Sequence, residues 1–346
     1  MRDNTVAICR VGQDLEAAVR TALQRVGGLG SLIDEEEDVF LKPNFVAPRD
    51  SSRGVTTNLE IVRVVAEEVR RCGGTPVIFE TPALEFEGEK VFAALGVYEF
   101  AKRHGIRLIE GPVERMKIPV PGGKVFKSLE IPGFLHHAKI INLPKLKTHV
   151  SAGMTCGIKN LIGLLSDRDK RRVHMRGIHS PIADLARAFR PILTLVDATT
   201  CMEGDGPTYG DRVDLGLIVS GRDMVSVDSV CGRIIGLPED EPEYLRRLRG
   251  GSSPEGIEIV GESIDGVGVS LSIPRKSALY HAAFRVIHAL DSLTSRIFPT
   301  PLTRTLYHTG HFGTNPTIIE DRCNRCGDCL EVCPEKNALD IEGRRV

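Results

Sequence analysis

The chain contains no tryptophan, and its aromatic share is only 5%. That argues against the stacked aromatic platforms that bind single-stranded nucleic acid. It also lacks charge of one sign. Its 45 Lys and Arg stand against 46 Asp and Glu, so no global pull toward nucleic acid or an anionic membrane follows. No apolar run approaches the roughly 18 residues of a membrane span. The start, Met1-Arg2-Asp3-Asn4, leads into a short strand-like run with no signal-peptide core. No G-x-G-x-x-G follows the first strand, and no G-x-x-x-x-G-K-[ST] occurs anywhere. Dinucleotide binding and P-loop phosphoryl transfer therefore have no support. No Ser/His/Asp hydrolase pattern stands out.

Cysteine, by contrast, is patterned. Cys323, Cys326, Cys329 and Cys333, followed by Pro334, read C-x2-C-x2-C-x3-C-P. This is the ferredoxin spacing for a 4Fe–4S cluster. Iron in such a cluster takes soft thiolates, and the short gaps let one loop aim several sulfurs at one cube. Structural zinc more often splits its ligands into two separated pairs. In two-cluster ferredoxins the fourth cysteine of a run serves the other cluster. Only one run is present here, so three arrangements stay open for Cys333. It closes the same cluster, an upstream cysteine joins, or two chains pair their halves into a homodimer. Cys9, Cys72, Cys156, Cys201 and Cys231 are scattered, which suits a reducing compartment and a cytoplasmic protein.

Strand and helix patterns alternate through the first 260 residues. Residues 5–11 read as a strand. A helix capped by Asp14 follows, with Leu15, Val19, Ala22 and Leu23 on one face. Asp38–Leu41 is the next strand, then a helix capped by Thr57 or Asn58, then a strand at Thr75–Glu80. This β-α-β-α-β order predicts a Rossmann-like α/β fold, with a mostly parallel sheet and flanking helices. Residues 89–104 read as one or two short helices, and 117–133 as a β-rich excursion. Strands are predicted at Ala138–Leu143, Ile192–Val196 and Leu215–Ser220, with a Gly/Asp loop at 201–210 between the last two. Ser180-Pro181 reads as the cap of a helix through Phe189. Residues 276–297 form an amphipathic helix that includes Leu279, Ala282, Ile287 and Leu290. The predicted organisation is an α/β domain over 1–265, a helix and linker over 266–315, and a ferredoxin-type module over 316–346.

Ligands of such sheets sit beyond the carboxyl ends of the strands. Residues 139–176 hold nine Lys or Arg against two acids, Asp167 and Asp169. Lys42, Lys145, Lys147 and Lys159, with Asn44 and Asn160, are candidates to hold an anion such as a carboxylate or phosphate. The run 168–172 reads as a solvent-facing charge cluster. His149 is the candidate acid/base group, since neighbouring cations hold an imidazole neutral. Cys156 is a candidate nucleophile or reserve ligand if its cationic neighbours favour the thiolate, and a small buried hydrophobe otherwise. Glu203 is a candidate acid/base partner of the lysines, or one acid of an ordinary tight turn.

Four motifs resemble the domain-of-unknown-function family 362. They are Lys42-Pro43-Asn44, the stretch Leu143-Pro144-Lys145-Leu146-Lys147-Thr148-His149, the stretch Gly157-Ile158-Lys159-Asn160-Leu161-Ile162-Gly163, and Glu203-Gly204-x-Gly206-Pro207. The resemblance implies a Rossmann-like core in an iron–sulfur protein and supplies no reaction. The expected activity is electron transfer, by an oxidoreductase, between one 4Fe–4S cluster per chain and an anionic small molecule. A redox partner protein is expected, with no nucleic acid and no membrane. The alternatives are a non-enzymatic electron carrier and a redox-sensing accessory or maturation factor.

Overall fold

The computed structural model describes residues 4–111, 113–208, 210–238, 241–249, 256–273 and 278–294. The four cluster cysteines and the ferredoxin-type module expected at 316–346 lie outside the described residues. The strands are β1 (Thr5–Arg10), β2 (Asp38–Pro43), β3 (Thr75–Phe79), β4 (Arg107–Ile109), β5 (Arg115–Pro119) and β6 (Ser128–Pro132), then β7 (Lys139–Leu143), β8 (Lys145–His149), β9 (Gly153–Thr155), β10 (Leu193–Glu203), β11 (Asp211–Gly221) and β12 (Glu258–Gly261). The helices are α1 (Leu15–Arg25), α2 (Leu59–Arg71), α3 (Gly88–Ala94), α4 (Val97–His104), α5 (Gly157–Asn160) and α6 (Asp167–Met175), then α7 (His179–Ala188), α8 (Met224–Ile234), α9 (Glu243–Leu248), α10 (Ile264–Val267) and α11 (Ala278–Thr294).

The main sheet has the order β12-β1-β11-β10-β7-β2-β3-β4. Strand β11 runs antiparallel to both its neighbours, and every other pairing along that path is parallel. The α/β expectation holds. The β-α-β-α-β pattern set no strand order, and in the sheet β11, β10 and β7 separate β1 from β2. The Gly/Asp loop is also shorter than expected, because β10 runs through Asp197 to Glu203 and pairs with β11 in a long hairpin.

Alternation along the strands builds two cores, one on each face. Val6, Ile8 and Phe40 join one, with Leu185 and Val227 from α7 and α8. Ala7, Cys9, Val39 and Leu41 join the other, with Val19 from α1 and Val62 from α2. The caps follow the sequence. Asp14 accepts the Ala17 N–H, Asn58 that of Glu60, and Asp223 that of Ser226. Helix α7 differs, since it begins at His179 rather than after Ser180. The β-rich excursion is the hairpin β5–β6. The connection between its two strands is held by Asp184, whose carboxylate accepts the backbone N–H groups of Lys124, Val125 and Phe126.

The chain stays with the α/β body past residue 265. The Val269 and Leu271 N–H groups donate to Ile234 and Ile235 carbonyls, and Leu271 is buried. Among the described residues no helix is long and apolar enough to cross a membrane.

Candidate functional site

Three carboxyl-terminal strand ends meet at one place. Strand β2 delivers Lys42 and Asn44, β3 delivers Glu80, and β7 passes through Pro144 into β8. In β8 the side chains alternate, so Lys145, Lys147 and His149 share one face while Leu146 enters the core on the other. Strand β8 pairs with β10 on one side and folds back onto β9 on the other. That return brings in α5, which carries Lys159 and Asn160.

Asp228 fixes the start of α5. Its carboxylate accepts the Gly157 N–H at 2.7 Å, the Ile158 N–H at 3.1 Å and the Tyr244 hydroxyl at 3.2 Å. Glycine is required at 157, because a Cβ there would stand 2.8 Å from Asp228 Oδ1. Burial still pushes the Asp228 carboxyl up to about 6.

Asn160 is the hub. Its Nδ2 donates to the Lys42 carbonyl at 3.0 Å and to Asn142 Oδ1 at 2.8 Å. Its Oδ1 accepts Asn44 Nδ2 at 2.9 Å. Asn44 Oδ1 in turn accepts Lys147 Nζ at 3.3 Å. The three motifs around residues 42, 147 and 160 are thus one buried polar web.

The lysines differ in what they meet. Lys42 is buried and ion-paired with Glu80, and it also donates to the Pro43 carbonyl at 2.8 Å. Gly163 roofs this pair, since a Cβ there would stand 2.7 Å from Lys42 Nζ. Lys145 pairs with Asp197 at 2.8 Å, and both side chains are wholly buried. Asp197 also accepts the Asn58 and Thr199 N–H groups. Lys147 donates to the Val55 carbonyl at 2.6 Å. Burial, then the Lys159 and Lys145 charges, hold its ammonium form well below the usual lysine range. The Lys42 and Lys145 charges are therefore matched inside the fold, while burial works against the Lys147 ammonium.

Lys159 is the exception. It is half-buried, and among the described residues its amine forms no hydrogen bond or ion pair. Burial lowers its pKa to about 8, and the Glu85 charge raises it in part. Its own charge is the largest electrostatic influence on both Lys147 and His149. Among the described residues this amine thus has no direct partner, and Glu85 offsets its charge only in part.

His149 is placed as expected but configured differently. Burial first, then Lys159, His174 and Lys147, hold it neutral. Its Nδ1 accepts two backbone N–H groups, from Ser151 at 3.0 Å and Ala152 at 3.1 Å. In the neutral ring the proton therefore sits on Nε2. The expected base has its lone pair already in use, and the ring offers an N–H donor instead.

Two other candidates sit in settings of their own. Cys156 is fully buried beside Cys231 and Asp228, and burial followed by these groups pushes its thiol well above the usual range. That is the setting of the small buried hydrophobe, the other reading of Cys156, and not of a cysteine whose neighbours favour the thiolate. Glu203 holds a neighbouring loop, accepting the Ser272 N–H at 2.7 Å.

The run 168–172 is also not a simple solvent face. Lys170 is buried and donates to the Thr81 and Pro82 carbonyls at 3.0 and 2.7 Å. Arg171 is buried against Asp291 of α11 at 2.6 Å, and Arg172 lies over the Phe126 ring. Only Arg168 of this run is fully exposed. Sequence reasoning passed over Asn142, Glu85 and Asp228. Asn142 gave one signal, a polar residue inside the apolar run 140–143. No group of three or more potential metal ligands occurs among the described residues.

Residues 315–339 match a family described as a 4Fe-4S binding domain. The thylakoid-associated protein sll1697 of Synechocystis sp. (strain ATCC 27184 / PCC 6803 / Kazusa) is 29% identical over 259 residues, covering 71% of this chain and 78% of that protein. No solved structure matches. Residues 39–233, more than half of the chain, match the family described as "Domain of unknown function (DUF362)", and the polar web of Lys42, Lys147 and Asn160 lies within that span. The chain is an iron–sulfur protein that belongs to the DUF362 family.

Proposed function

We propose that the protein is an oxidoreductase that exchanges electrons, one at a time, between its 4Fe–4S cluster and an anionic small molecule held at Lys159. The observation that carries this reading is the state of that amine. A half-buried lysine with no acceptor among the described residues, beside lysines already paired and offset only in part by Glu85, leaves a place for one anionic charge. Lys42, Lys145, Asn44 and Asn160 form the frame. Lys147 and His149 Nε2–H are donors beside it. A neutral imidazole holding an N–H toward a carboxylate or phosphate polarises the ligand without competing for its charge.

Cys323, Cys326, Cys329 and Cys333 would hold the cluster, with Cys333 closing the same cube. The cluster supplies single electrons, and a redox partner protein reloads it. We place this exchange in the cytoplasm, where scattered free thiols stay reduced.

The test is rapid anaerobic mixing of the reduced protein with carboxylates and with phosphate esters, reading the cluster's visible absorbance. One class should reoxidise the cluster with a saturable rate. That rate should fall by about 100-fold in Lys159→Gln, on the scale of losing one charged contact to a reacting group. If no anion alters the cluster, or Lys159→Gln reacts as fast as the wild type, the reading fails.

A further inference from the structure

Helix α11 has two faces of opposite character. One is fastened to α6. Asp291 is wholly buried and accepts from Arg171, while the buried His288 ring stacks 4.6 Å from that of His174 at an interplanar angle of 16°. On the other face Val286, Leu290 and Leu293 lie at i, i+4 and i+7, one stripe of a helix. They are 58%, 45% and 66% exposed. Covering apolar side chains of this size is favourable, so a bare stripe of three is a surface built to be covered.

The sequence points to the occupant. The chain leaves α11 at Thr294, and the match to a 4Fe-4S binding domain begins at residue 315. That match ends at residue 339, and a segment so short cannot enclose a core of its own. Its apolar residues are few, among them Ile318, Ile319, Leu330 and Val332. A metal centre supplies part of the missing stability, and an apolar platform supplies more. The connecting stretch reaches up to about 3.3 Å per residue, ample to bring the module back onto the helix it has just left.

We infer that the cluster module of this same chain seats on the Val286, Leu290 and Leu293 stripe of α11. This goes beyond the proposed activity, because the seating does not depend on which anion Lys159 holds.

The experiment is photo-crosslinking of the full-length, cluster-loaded protein with p-benzoylphenylalanine in place of Leu290, an exposed position outside the polar web. Equal amounts of isotopically light and heavy chains are mixed before irradiation, and the cluster absorbance is verified first. The expected product joins the α11 peptide to a peptide within 315–339 of the same isotope. A mixed-isotope product would mean that a second copy covers the stripe, and would overturn the inference. So would crosslinks only elsewhere in the same chain, or none at all. As a second readout, Leu293→Asp should hasten bleaching of the cluster by air several-fold while leaving thermal unfolding of the α/β body in place. Unchanged bleaching would also overturn it.

Discussion

Asn44 and Asn160, 116 residues apart in sequence, share a buried hydrogen bond of 2.9 Å that joins the loop after β2 to helix α5. Through it the position of Lys159, one residue earlier, is set by the β2 strand end. Replacing Asn160 with Ala would strand Asn44 Nδ2, the Lys42 carbonyl and Asn142 Oδ1. Stability should fall by about 3 kcal/mol, the scale for unsatisfied buried polar groups, as read by urea unfolding without oxygen. A loss below about 1 kcal/mol would show that the web is not a structural frame.

The Lys145–Asp197 pair makes a second claim about the frame. Lys145→Met would leave the wholly buried Asp197 without its counter-charge. A loss of about 3–5 kcal/mol is expected, because removing one partner of a buried pair costs far more than the pair itself contributes. Protein that remains folded should bind its anion as tightly as the wild type. A marked loss of affinity would mean that Lys145 meets the ligand directly.

Affinity should depend on pH through Lys159, whose pKa burial lowers from 10.5 to about 8. Only the cation attracts the ligand. Binding should be strongest below about pH 8 and weaken by up to about tenfold per unit above it, measured by calorimetry. The linked stability has the opposite sense. The folded pKa lies below the unfolded one, so the folded chain loses stability as pH falls from about 10.5 to about 8 and loses no more below that. A bound anion should restore that loss. A flat affinity from pH 7 to 10 would remove Lys159 as the binding charge.

Much of this site was legible in the sequence. A K-x-K-x-H stretch in a strand puts three polar side chains on one face by alternation alone. Lys42 and Asn44 sit where a strand pattern ends. What sequence could not show was which charge each lysine would meet. Glu80, Asp197 and the Val55 carbonyl come from distant segments that only the sheet order brings close. The burial of Lys170 and Arg171 was hidden for the same reason, since their acceptors lie on the loop after β3 and on α11. Cys156 looked cationic by sequence neighbourhood, yet its spatial neighbours are an acid and another thiol. The place of β1 beside β11 rests on an antiparallel strand that local pattern does not distinguish from a parallel one.

Iron and acid-labile sulfide, counted on protein purified without oxygen, should come to about 4 of each per chain. Among the described residues the five free cysteines form no group of three or more potential metal ligands. A count near 8 would contradict that, and a single zinc with no sulfide would remove electron transfer altogether.

The central claim is that the anion at Lys159 and the cluster are coupled. The most direct measurement is the cluster's midpoint potential with and without a saturating anion, in wild type and in Lys159→Gln. A tenfold preference of the ligand for one oxidation state moves a one-electron potential by about 59 mV. A shift of that order in the wild type, absent in Lys159→Gln, is the expected result. No shift in either protein, or the same shift in both, would contradict the account.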